Sequence, residues 1–323
     1  MDKADSPKQE RNSVLELLRL LAAFWILHQH NFTPIPRQTF AYGGRAVEFF
    51  FMLSGFFFYR SFFKENKGFF LIRLLRFEWK RFKPIAITFS LPFLFSVLYY
   101  YQMKPRGIDV GGIFGYLWYV PKLLTALAVY FIMAGLIERL TRLKPEKRRL
   151  IFYLFVLILT VIFYGKILVK GSINGDDRAM GGVGLGILLS ALPAVKNRLP
   201  AFLSPLLCTV LVLTVTLLSY LHLTPSLFDS LIILLLFPAL IYLAAQAEFK
   251  NRVINRLARL SFGIYAYQAI ARYVKMNGIV KGDANLFYFV LALAILDQLI
   301  QALAKYLWQK KKILRKQSNI SLV

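Results

Sequence analysis

Residues 15–32 read LELLRLLAAFWILHQHNF. The run is long and apolar enough for a membrane helix, yet it holds Glu16, Arg19, His28 and His30. Ionisable side chains at membrane depth are costly and by default mark a functional site facing the protein interior or a wet cavity. His30 follows Arg19 by eleven residues, which on a straight helix is roughly 16 Å along the axis, about half the hydrocarbon thickness. Eleven residues are also close to three turns, so both fall near one face. One helix therefore carries a fixed cation at one depth and a titratable imidazole at another.

The rest of the chain extends this pattern. Of 323 residues, 58% are hydrophobic, and the mean hydropathy is +0.55. The apolar excess lies in repeated long runs, which places the chain in the polytopic membrane class. The first run is too long for a signal peptide and has no small-residue cleavage site, so it is expected to remain as a helix. Cys208 is the sole cysteine, which excludes an intramolecular disulfide framework or a cysteine metal cluster. The net charge of +25 is no sign of nucleic acid. Cytoplasmic loops of membrane proteins collect Lys and Arg, and no nucleic-acid module accompanies the charge.

Ten helices are expected, at 14–32, 44–62, 84–101, 115–137, 150–169, 179–195, 200–221, 226–247, 260–276 and 285–308. Alternating the loops from a cytoplasmic N-terminus puts about three times as many Lys and Arg inside as outside. The inner segments are 1–13, 64–83, 139–149, 196–198, 250–259 and the basic tail 309–323. The expected fold is an all-α, polytopic bundle of about ten transmembrane helices with both termini cytoplasmic. Residues 1–323 are expected to form one integral membrane domain in the cytoplasmic (cell) membrane.

Several residues carry possible chemistry. Glu48 is a second acid at membrane depth and needs a buried cation, for which Arg19 is the obvious candidate. Ser54-Gly55 offers a small surface for close helix approach. In 64–83, Arg73, Arg76, Lys80, Arg81 and Lys83 alternate with apolar residues at roughly helical spacing, as in an amphipathic interfacial helix. That helix would bind anionic lipid, or cradle a phosphorylated cytosolic ligand with its arginine forks. His28 and His30 stand on different helix faces and make a poor metal pair, so no metal is expected. A neutral imidazole at His30 suits a general base acting on a hydroxyl. Asp297 and Arg272 are expected to form a structural clamp, and Asp229 to sit favourably near a helix start.

These residues resemble the acyltransferase-3 family of integral membrane acyltransferases. Arg19-x10-His30 is similar to the family's helix-one signature, with Glu16 at the acidic position three before the arginine. Phe50-Phe51-Met52-Leu53-Ser54-Gly55 matches its FFxxSG motif, with Glu48 in the usual acidic place. Arg73-Leu74-Leu75-Arg76 fits a cytoplasmic RxxR pattern, for which Lys80-Arg81-Phe82-Lys83-Pro84 is an alternative. Tyr116-Leu117-Trp118-Tyr119 and Ser261-Phe262-Gly263-Ile264-Tyr265 resemble two further segments. Gln268 stands where many members have histidine.

The resemblance implies transfer of an acyl group, acetyl first among candidates, from cytoplasmic acetyl-CoA or another acyl-CoA to a carbohydrate or glycolipid of the envelope. It implies His30 as general base or acyl relay, with Arg19, Glu48 and Glu16 around it. Arg73, Arg76, Lys80, Arg81 and Ser54 would serve the donor. Membrane lipids are the other expected partners. Ten helices with buried charges also suit a transporter or flippase, although no paired, Gly/Pro-broken helices in two symmetric halves accompany them.

Overall fold

The computed structural model describes residues 12–30, 32–36, 39, 43–58, 70–109, 111–140, 143–170, 174–193, 203–221 and 230–320. The inner segments 1–11, 64–69 and 196–198, with His222 and Asp229, lie outside the described residues.

In chain order the α-helices are α1 Ser13–Gln29, α2 Ala46–Phe56, α3 Phe70–Met103, α4 Tyr119–Leu140, α5 Pro145–Lys170 and α6 Gly175–Ala191. There follow α7 Leu203–Tyr220, α8 Phe237–Gln246, α9 Arg252–Leu257, α10 Leu260–Met276 and α11 Asp283–Ile320. Short 3-10 turns at Gly43–Arg45, Lys104–Arg106 and Gly115–Leu117 open or close neighbouring helices, and the described residues hold no strand. A π turn, Ile232–Leu236, leads into α8 just before Pro238. Proline lacks the N–H that the α ladder needs, which accounts for the local widening there.

Each of the ten expected segments overlaps a helix among the described residues. Five stretches are long and apolar enough to cross a membrane: Ile85–Arg106, Gly115–Arg139, Pro145–Lys166, Leu203–Tyr220 and Asp283–Lys310. They turn apolar side chains outward, for example Val161 on α5, Leu213 on α7 and Leu299 on α11, each more than half exposed. The shorter helices α1, α2, α6 and α10 have 17, 11, 17 and 17 residues. They carry Glu16, His28, Glu48 and Asp177, four of the six buried His, Arg, Asp and Glu side chains among the described residues, and the buried amide Gln268. The helices with chemistry are thus the short ones, packed inside longer ones.

Two boundaries differ most from the sequence reading. The basic segment is not a separate interfacial helix ending at Pro84. It continues unbroken into the next span as the 34-residue α3. At 1.5 Å per residue α3 is roughly 51 Å long, against a hydrocarbon layer of about 30 Å, so its first turns extend past that layer. Likewise the helix expected to stop at 308 runs on to Ile320. Both have one cause. Lys and Arg are good helix formers, so a charge boundary at the membrane surface does not break the backbone ladder.

Glycine makes α6 the packing centre. A methyl group on Gly186 would collide with the Met52 carbonyl of α2, and one on Gly55 with the Val183 carbonyl of α6. Gly182 packs on Phe51, and Gly184 lies against Tyr130 and Thr160. The small surface of Ser54-Gly55 is therefore a helix-crossing surface, as the close-approach argument expects.

The ends of the bundle are pinned by asparagines. Asn12 caps α1, its Oδ1 accepting from Val14 and Leu15 N–H at 2.9 and 3.2 Å. Its Nδ2 donates to the Ala244 and Ala247 carbonyls at the end of α8. Asn277 and Gln102 exchange side-chain hydrogen bonds where α10 and α3 close. At mid-depth Thr88 donates to Asp297 at 2.6 Å, and Gln301 donates to both. The starts of α1, α3 and α10 therefore lie at one end of the bundle, and their finishes at the other.

Candidate functional site

α1 ends at His30, the C-cap residue, whose N–H donates to Leu27. The imidazole is half-buried and meets the Tyr116 ring edge-on, centroids 4.5 Å apart. The same Tyr116 ring lies 5.9 Å from the Arg272 guanidinium, which also donates from Nε to the Tyr99 hydroxyl at 3.2 Å. Arg272 is thus no clamp for Asp297. Asp297 is taken up by Thr88 and Gln301, nearer the opposite end of α10. The cation is instead part of the aromatic wall beside His30.

Three turns back on α1, Arg19 pairs with Glu16 at 3.1 Å, through both carboxylate oxygens. The i,i+3 spacing places the two on one face. Arg19 also lies in electrostatic reach of Tyr119, whose hydroxyl shares a hydrogen bond with Ser54. Ser54 in turn donates to the Phe50 carbonyl.

Glu48 has a different cation from the one expected. It is fully buried, and Arg178 forks onto it, Nε to Oε1 at 2.6 Å and Nη2 to Oε2 at 2.7 Å. Arg178 also donates to the Gly44 carbonyl and stacks 4.9 Å from Trp118. Arg19 is already held by Glu16, and Glu48 stands in the first turn of α2, where Arg178 can fork onto it. Two ion pairs replace the single Glu48–Arg19 pair. Sequence reasoning did not single out Arg178 as a site residue. The available signal was its place directly before the apolar run 179–191.

The segment 116–119 ties these parts together. Tyr116 meets His30, Trp118 meets Arg178, and Tyr119 meets Ser54 and the Arg19 field. Tyr265 of the SxGIY segment donates its hydroxyl to the Tyr116 carbonyl at 2.8 Å and packs edge-on against Tyr119, centroids 5.6 Å apart. Arg19 and His30 stay at separate depths on α1, linked by this aromatic frame rather than by contact.

Gln268 is one turn beyond Tyr265 on α10 and only 1% exposed. Neither amide atom has a hydrogen-bond partner among the described residues, nor does the buried Ser261 hydroxyl. An unmet buried amide costs about 1–3 kcal/mol. Exchanging it for an unbranched apolar side chain, Gln268→Met, is expected to raise thermal stability in detergent while lowering activity. Such a trade is usual where a site holds polarity in reserve for its substrate. A less stable, fully active variant would remove Gln268 from the site.

At the end where α3 begins, the RxxR pair divides. Arg73 is buried and pairs with Glu138 of α4 at 3.2 Å, holding the helix in place. Arg76, Lys80 and Lys83 are exposed, spaced along one face of α3. Exposed Leu75 and Trp79 lie among them. Arg81 folds back, stacking 3.4 Å from the Phe77 ring and donating to its carbonyl. Between these cations the Glu78 carboxyl is pushed up to about 7 by burial, with Arg81 drawing it the other way. No group of three or more His, Cys, Asp or Glu able to hold a metal is present among the described residues.

A family model described as an acyltransferase domain, that of acyltransferase-3, matches residues 12–297. Comparison with curated proteins and with solved structures returns no match. The model spans both ion pairs, the aromatic frame and the basic row. A chain matched from the cap of α1 to Asp297 belongs to the acyltransferase-3 family, a family of multi-pass membrane acyltransferases.

Proposed function

We propose that this chain transfers an acyl group, acetyl in the first instance, from cytoplasmic acyl-CoA to a hydroxyl of an envelope carbohydrate or glycolipid. The reading takes ten spans with both termini cytoplasmic. One observation carries it. An exposed row of cations, Arg76, Lys80 and Lys83, stands at the end of the bundle where α1 begins, and the half-buried His30 stands at the other end of α1. The row suits the phosphates of coenzyme A, and Arg73 positions it through Glu138. His30 accepts the proton of the acceptor hydroxyl as its oxygen attacks the thioester carbonyl. The C–S bond breaks, and the leaving thiolate takes the proton from the imidazolium. Arg19, fixed by Glu16, stabilises the developing negative charge or holds the donor. Glu48 acts at a distance from both, by fixing Arg178 under Trp118. Family membership favours this reading over a transporter.

The test is donor binding. Acetyl-CoA at a hundredfold excess over Kd should stabilise the detergent-purified protein by about 2.7 kcal/mol. Arg76→Ala with Lys80→Ala should remove most of that shift. Absence of any acetyl-CoA-dependent shift and of thiol release would end the proposal.

Glu78 adds a pH dependence. Its carboxyl is neutral when folded up to about pH 7, whereas in the unfolded chain it ionises near 4.5. The folded state therefore binds more protons between these values, and the stability tied to this group falls as pH rises through about 7. Ionised Glu78 also opposes the anionic donor. Acetyl-CoA binding is expected to weaken as pH rises through about 7, where the folded carboxyl ionises, and Glu78→Gln to flatten the profile. An unchanged profile in that variant would refute the role of Glu78.

A further inference from the structure

On the face of α1 turned away from His30 lies a cavity of about 450 Å³. That is within the ~300–1,000 Å³ range of small-molecule sites. Its deeper wall is apolar, made by Leu18 and Ala22 of α1, Val212 and Val215 of α7 and Leu240 of α8. Its polar residues gather at the other end. His28 and Thr33 close α1, and Thr216 and Ser219 lie in the last turns of α7. His28 is 5% exposed, and its Nδ1 lies 2.8 Å from the Thr33 hydroxyl. From Leu18 to His28 the wall runs roughly 15 Å along α1.

The mouth is lateral. Leu21, Ile35 and Thr216 line the cavity and are exposed. On α7 the exposed Thr216 is flanked by the outward apolar row Leu206, Val210, Leu213 and Leu217. In a membrane bundle such a surface faces hydrocarbon, so an occupant enters from the lipid and not from water.

We propose that this cavity holds the hydrocarbon chain of a lipid-linked acceptor, a glycolipid whose hydroxylated head lies at the His28–Thr33 end. The apolar depth takes the chain, and the polar rim takes the head. A head group at that end lies at the finish of α1, the end that carries His30. The inference deepens the transfer reading and rests on it for the identity of the head. The chain site itself is tested independently.

The experiment uses the protein in nanodiscs with a photoreactive long-chain alkyl glucoside, its labelling sites mapped by mass spectrometry. Labels are expected on α1 and α7 around Ala22 and Val215. They should be lost when the exposed mouth is plugged by Leu21→Trp or, separately, Thr216→Trp. Competition by unlabelled glucosides, compared at equal mole fraction in the nanodisc lipid, should strengthen with chain length until the cavity is full, by less per methylene than the about fourfold of transfer from water, because the chain leaves hydrocarbon for the cavity. Acetyl transfer to a long-chain glucoside should fall in both plugged variants, with acetyl-CoA stabilisation unchanged. Labelling that ignores both plugs, or an equally strong signal from a photoreactive phosphatidylcholine, would overturn the site, the latter marking ordinary boundary lipid. Cavity labelling without transfer to any glucoside would keep the chain site and defeat the acceptor reading. Transfer that is indifferent to chain length and plugs would do the reverse.

Discussion

Replacing His30 by alanine lowers acyl transfer by at least about a hundredfold, the lower bound of what a positioned general base typically contributes. The fold survives the change. His30 is a helix-terminal residue, half-buried, and its ring meets Tyr116 edge-on and Phe32 at a tilt. Such an aromatic contact is worth about 0.5–1.5 kcal/mol. The alanine variant should therefore unfold close to the wild-type temperature and still gain stability from acetyl-CoA, since the cationic row is untouched. The measurement is single-turnover thiol release from acetyl-CoA with an acceptor present, beside thermal unfolding with and without donor. Full transfer in a folded variant would eliminate His30 as the base. Loss of both transfer and donor stabilisation would show that His30 binds the donor rather than activating the acceptor.

The largest effect on stability is expected at Glu48. Its carboxylate is fully buried and forked by Arg178, which is itself held by Gly44 and Trp118. Removing one member of a buried pair leaves an uncompensated charge and costs about 3–5 kcal/mol. Glu48→Gln should therefore lower the unfolding temperature well beyond the His30 variant. Arg178→Lys should also cost stability, because an ammonium cannot reproduce the fork. The double replacement Glu48→Leu with Arg178→Leu should recover much of the loss, since a packed apolar pair avoids desolvation. Whether the double variant transfers acyl groups separates two roles. Recovered stability with lost transfer means that the pair positions Trp118 and the aromatic frame for chemistry. Recovered stability with normal transfer confines the pair to the fold. A Glu48→Gln protein as stable as wild type would contradict the energetic argument altogether.

The sequence by itself determined the all-helical membrane class, the place of each long helix and the family. These follow from local quantities: run length, the periodicity of apolar residues, and Arg19-x10-His30 with FFMLSG close in sequence. It also separated Arg19 and His30 correctly, because depth along one helix is set by rise per residue. It did not determine partners across helices. Glu48 and Arg178 are 130 positions apart, and Tyr265 and Tyr116 are 149 apart. Nothing in one chain's composition says which buried cation meets which acid.

Tertiary structure alone decided that Arg178 takes Glu48, that Arg272 joins the wall beside His30, and that Arg73 is structural while Arg76, Lys80 and Lys83 stay exposed. The glycines of α6 made those choices possible. With no side chain at Gly182 or Gly186, α2 approaches α6 until backbone touches backbone. That close crossing brings Glu48 within reach of Arg178. Burial of a charge is affordable only where its partner is already in place, and the packing of α2 on α6 is what puts it there.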